Sequence, residues 1–129
     1  MGKLMKEKFY SLYNQIGLYD TEDQNSYPQW GDGLELVVFG KKGVAISVKG
    51  DIYVEVTIYS DSGGIDLDGW LLYGKGYIHI GNKGVTVGNE ASGNTKQIEW
   101  DQDSTLVKVY GNGEKFESTS IIIIMTRVN

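Results

Sequence analysis

Apolar and polar side chains alternate without a break along residues 52–60. Ile52, Val54, Val56 and Ile58 point one way, and Tyr53, Glu55, Thr57 and Tyr59 the other. That two-residue period is the mark of a half-buried β-strand. A slip of one residue would drive Glu55 into the core, so the pattern itself sets which face is buried. The run from Gly43 to Val48 reads as a second strand, expected to pair with the first across Lys49-Gly50-Asp51. A glycine-rich acidic loop, Asp61 to Trp70, follows.

The rest of the chain repeats this grammar of short apolar runs and turn residues. Residues 9–19 alternate, with Tyr10, Leu12, Ile16 and Leu18 on one face and Phe9, Tyr13 and Tyr19 on the other. They predict a first strand, in competition with a helix over 3–16 that Gly17 would end. Residues 20–33 form a polar loop holding Pro28, Trp30 and Gly31-Asp32-Gly33. Residues 34–39 and 43–48 predict a hairpin around Gly40-Lys-Lys-Gly43. Three short runs, 70–73, 76–80 and 84–87, are separated by Gly74-Lys75 and by Gly81-Asn82-Lys83, and the last two are expected to pair as a hairpin. Residues 88–96 read as a polar loop. Residues 97–100 and 105–110 flank the turn Asp101 to Ser104, and 111–118 form another loop. The closing run 119–128 contains four consecutive isoleucines, Ile121 to Ile124. A strand apolar on both sides belongs in the middle of a sheet, covered on both faces, because exposed it would invite aggregation. About nine or ten strands with almost no helix predict an all-β, antiparallel two-sheet β-sandwich, a closed β-barrel being the alternative. The length fits one domain over residues 1–129.

Composition agrees. Eighteen glycines, nine tyrosines and only two alanines favour strands and turns over helices. The absence of cysteine removes disulfides, thiolate metal sites and cysteine nucleophiles together. The first residues, MGKLMKEKFYSLYNQ, lack an apolar core of signal-peptide length, and no run is long enough to span a membrane. The expectation is a soluble, cytoplasmic protein. Net charge is -5, and it is unevenly placed: residues 18–70 hold ten acids against three lysines, while residues 75–129 balance. Such a segment repels nucleic acid and attracts basic partners or cations.

No catalytic motif emerges. Asp66-Leu67-Asp68-Gly69 resembles a fragment of a calcium loop, but the residue six past Gly69 is Lys75 rather than glutamate. A calcium site between loops would require Asp61, Asp66 and Asp68 to meet Asp101 and Asp103. His79 is the sole histidine, and there is no Gly-x-Ser-x-Gly elbow. Gly40-Lys-Lys-Gly43 lacks the ending of a phosphate loop. Tyr53, Tyr59, Tyr73, Tyr77 and Tyr110 lie in or beside strands. They suit cross-strand packing or, on an open face, stacking on rings. No enzyme class and no cofactor is called for.

The order of several pieces carries a family resemblance. Tyr13-Asn-Gln-Ile16, Tyr19-Asp20, an acidic loop, Trp30-Gly-Asp32 and Gly43-Val-Ala-Ile-Ser-Val48 come first. Asn82-Lys-Gly-Val-Thr-Val87, Gln97-Ile-Glu-Trp100 and a final apolar strand follow. Over roughly residues 10–128 this resembles the competence protein ComJ family, whose best-known member inhibits a DNA-entry nuclease. The resemblance implies a small non-enzymatic acidic inhibitor bound to a basic protein partner such as a nuclease or toxin. The acid excess argues against direct nucleic-acid binding, and the lack of a long apolar run argues against a membrane span. From charge and position, Asp20, Glu22, Asp23, Asp32, Asp61, Asp66 and Asp68 are the expected complementary charges, and Trp30 and Trp70 the expected anchors. A calcium- or carbohydrate-binding sandwich module and a self-associating structural unit are the competing readings.

Overall fold

The computed structural model describes residues 2–22, 35–60, 64–101, 103–114 and 116–128. Among these are ten strands: β1 (Lys3–Tyr10), β2 (Gln15–Asp20), β3 (Val37–Phe39), β4 (Gly43–Ser47), β5 (Tyr53–Tyr59), β6 (Leu71–His79), β7 (Val85–Asn89), β8 (Asn94–Ile98), β9 (Ser104–Gly111) and β10 (Ser120–Arg127). They form two five-stranded sheets, ordered β1-β5-β10-β9-β6 and β3-β4-β2-β7-β8. This is the β-sandwich, not the closed barrel. Every pairing is antiparallel except β5 with β10, which is parallel.

The inner faces are the alternating positions read above. Val54, Val56 and Ile58 of β5 pack with Ile121, Ile123 and Met125 of β10 and with Ile16, Leu18, Val44, Ile46, Val85 and Val87 of the facing sheet. The isoleucine run is central in its sheet, and all four side chains are buried. Burying both faces of a middle strand explains why its sequence does not alternate.

Several expected connections differ, for one physical reason: the chain repeatedly changes sheet where a continuous strand or a hairpin is expected. Residues 9–19 are two strands, not one and not a helix. A single 3-10 turn, Leu12–Asn14, separates them, with Tyr13 at φ 59° and Asn14 at φ 58°. β4 and β5 do not pair either, because they belong to different sheets. The two corners lock together through Ser11. Its hydroxyl donates to the carbonyls of Lys49 (2.5 Å) and Ile52 (3.0 Å), and its carbonyl accepts from Asp51 N–H (3.0 Å). Likewise Gly81 to Gly84 joins β6 to β7 across the sandwich rather than within a hairpin.

Gly74-Lys75 is not a turn but the interior of β6, next to a bulge between Leu72 and Gly74. Glycine is used there for space. A Cβ on Gly74 would sit 2.6 Å from Val37 Cγ1, and one on Gly76 would sit 2.8 Å from the Phe39 ring. Residues 88–96 are mostly strand, β7 and β8 pairing through Asn89 opposite Asn94. The predicted β3–β4 hairpin is present.

Polar contacts lace the sheet edges. Tyr10 N–H donates to Asn94 Oδ1 (2.7 Å) and Lys96 Nζ reaches Glu7 Oε1 (3.0 Å), tying β1 to β8. His79 N–H donates to the Lys41 carbonyl (2.9 Å) on the other side. At the β9–β10 loop the Tyr73 hydroxyl donates to the Gly113 carbonyl (2.6 Å) and shares a hydrogen bond with Ser118 Oγ. Burial raises the Tyr73 pKa above 10.0, against a smaller lowering by Ser118. A raised folded-state value means that the stability from this group is complete below pH 10 and is lost as pH rises through the folded-state pKa. Tyr73→Phe is expected to cost about 1–3 kcal/mol, since it strands a buried acceptor, and to flatten the alkaline limb of a urea-denaturation series.

Candidate functional site

β2 ends in Asp20 and runs out at Thr21 and Glu22, beside the turn that carries the chain from β6 to β7. Asp20 is only 3% exposed. Its carboxylate accepts from the N–H groups of Glu22 (3.1 Å) and Gly81 (3.2 Å). The exposed Glu22 places Oε2 on Asn82 N–H (3.1 Å). A Cβ on Gly81 would lie 1.8 Å from that oxygen, so glycine is what lets the carboxylate come in. Asp20 at the end of β2 and Glu22 just beyond it therefore hold the Gly81 turn, and Asp20 is spent on that task rather than offered to solvent.

Around this turn lies an open groove of about 1460 Å³, walled also by the β8–β9 connection and the end of β10. Trp100 lies against it, 5% exposed, with its indole N–H donating to Thr105 Oγ1 (2.7 Å). The Arg127 guanidinium lies 4.6 Å from the centre of that ring. Arg127 Nε also reaches Asp101 Oδ1 at 3.0 Å. His79 Nδ1 sits 3.7 Å from Asp103 Oδ1. Four carboxylates, Glu22, Glu99, Asp101 and Asp103, and two cations, Lys83 and Arg127, line the groove. The Trp100 ring is held under a guanidinium, and four acids against two cations leave the groove lining formally negative.

The remaining described candidates lie elsewhere. β5 and β6 run parallel in one sheet, with β10 and β9 between them. Gly64, Ile65, Asp66 and Trp70 border a hollow on the outer face of that sheet with Thr57 and Ile122. Asp66 and Asp68 are exposed, and Asp66 Oδ1 accepts from Asp68 N–H (3.0 Å). Trp70 is half-buried. Asp66, Asp68 and Trp70 thus form an acidic strap, separate from the groove that holds Glu22. Asp23, Trp30, Asp32 and Asp61 lie outside the described residues. Asp101 and Asp103 are in the groove and Asp66 and Asp68 on the strap, and among the described residues no three His, Asp or Glu side chains gather to hold a metal ion. No described helix is long and apolar enough to cross a membrane.

Sequence reasoning missed Glu99, Asp101, Asp103 and Arg127 as neighbours of Glu22. They fall in the charge-balanced half of the chain, where counting along the sequence shows no excess. The sequence Gln97-Ile-Glu-Trp100 was the available signal.

Among the described residues, fold and groove together define a two-sheet β-sandwich of ten strands with a charged, aromatic-backed groove at one end. A solved structure shares this fold: ComJ from Bacillus subtilis, described as the inhibitor of the DNA degrading activity of NucA. It is similar with a TM-score of 0.69 and 9% sequence identity, over 98% of this chain and 98% of that one. No family model matches the chain, and no curated protein matches it in sequence. The motif order noted above thus accompanies a likeness of fold to ComJ.

Proposed function

We propose that this chain is a non-enzymatic inhibitor that binds a protein partner, a nuclease or toxin with a basic surface. One observation carries the reading: the likeness of fold to the NucA inhibitor over nearly the whole of both chains. The end groove is the preferred contact. Its acids mimic the charge that a nuclease's DNA-binding surface is built to meet. The acidic strap with Asp66, Asp68 and Trp70 is the second candidate contact. Inhibition by occlusion needs neither a nucleophile nor a cofactor from this chain.

The test is inhibition itself. Proteins retained on the immobilised chain from a low-salt native lysate of its source are assayed for DNA degradation with and without free chain, with NucA as a further target. Nuclease activity that falls to a plateau near one equivalent, and recovers with added salt, is expected. Retained proteins that are neither nucleases nor toxins, or activities that the chain leaves untouched, would overturn the reading.

A further inference from the structure

The outer face of the β6–β9 pair carries a second surface of opposite character. β6 is an edge strand of its sheet. On its outer side Leu72 lies opposite Tyr110, Lys75 opposite Lys108, and Tyr77 opposite Leu106. Leu72 is 53% and Tyr77 63% exposed. Two lysines directly across from each other repel. Among the described residues neither has an ion-pair partner, although the chain as a whole is acidic. Like charges set directly opposite each other cost stability in the free protein, beside an exposed leucine and tyrosine.

We infer that this face docks a second protein partner, an extended segment that alternates apolar side chains with carboxylates. The carboxylates neutralise Lys75 and Lys108, and the apolar side chains cover Leu72 and Tyr77. A second copy of this chain fits poorly, because a two-fold axis through the patch would set the lysine pair against itself. A nucleic-acid strand would use the tyrosines and lysines but leave Leu72 uncovered. This surface is built from other residues than the end groove, and its proposal stands apart from the inhibitor reading.

A charge-swap experiment tests it. The probes are two short fluorescent peptides, one alternating leucine with glutamate and the other leucine with lysine, with an oligothymidine as a third. With the end groove's acids neutralised by Glu99→Gln and Asp103→Asn, so that the groove does not take up the lysine peptide, the chain is expected to prefer the glutamate peptide about tenfold. Lys75→Glu with Lys108→Glu should invert that preference. Tyr77→Ser should weaken both peptides. The single change Lys75→Glu should raise the thermal midpoint while lowering affinity for the glutamate peptide, a split that a purely structural role would not produce. Equal binding of the two peptides, or no binding of either, overturns the proposal. So does tighter binding of oligothymidine that depends on Tyr77, or a dimer in solution that dissociates on Leu72→Ser.

Discussion

Gly84→Ala should destabilise the protein by about 3 kcal/mol or more, the sum of two effects with separate causes. Gly84 has φ +79°, in the left-handed region where a side chain is strained by about 1 kcal/mol or more. A Cβ there would also lie 2.1 Å from the Ile98 carbonyl oxygen and 3.1 Å from Trp100 N. These are backbone atoms, which cannot swing aside as a side chain does. The Gly84 carbonyl meanwhile accepts from Thr21 N–H (3.0 Å), so any shift would travel into the strand end that carries Asp20 and Glu22. Gly93 isolates the first effect. It has φ +71° and open space around its missing Cβ, so Gly93→Ala should cost only about 1 kcal/mol. Urea denaturation of both variants checks the pair. Equal losses would show that the crowding at Ile98 carries no weight.

Glu99→Lys with Asp103→Lys should weaken binding of the proposed nuclease or toxin target by about 100-fold. Both side chains are exposed, and among the described residues the Asp103 carboxylate meets only the exposed His79 at 3.7 Å, so folding should be unchanged by circular dichroism. Asp101 is left alone because it holds Arg127 over Trp100. Asp66→Lys with Asp68→Lys, on the strap, should weaken binding much less. Titration calorimetry at two salt concentrations distinguishes the sites, because wild-type affinity should fall with salt and that of the groove variant should fall less. A loss confined to the strap variant would move the contact to the outer face of the β5–β10 sheet.

Much of this was readable in advance, and the parts that were not share a cause. The buried face of β5 followed from alternation alone, and the place of Ile121 to Ile124 from their failure to alternate. The strand partners did not follow. Lys49-Gly50-Asp51 and Gly81-Asn82-Lys83 have the composition of hairpin turns, yet each carries the chain to the other sheet. The same turn residues serve both geometries, and what decides is a distant contact: Ser11 reaching Lys49 and Ile52 in one corner, Asp20 and Glu22 reaching Gly81 and Asn82 in the other. Gly74 misled for a related reason. Its missing side chain makes room for Val37 on the facing sheet, a role that local sequence does not mark.

The site divides in the same way. By itself the sequence determined an all-β chain, the inward face of each clear strand, an acid-rich half and the absence of common catalytic arrangements, because periodicity and charge are properties of residue order. Only the tertiary structure decided which acids share a surface. It buried Asp20, set Asp66 at a hollow on a sheet face, and placed Glu22 in one groove with Glu99, Asp101 and Asp103. Those groups lie far apart along the chain. They meet because strands distant in sequence end on the same side of the sandwich, and that is settled by packing two sheets around one core.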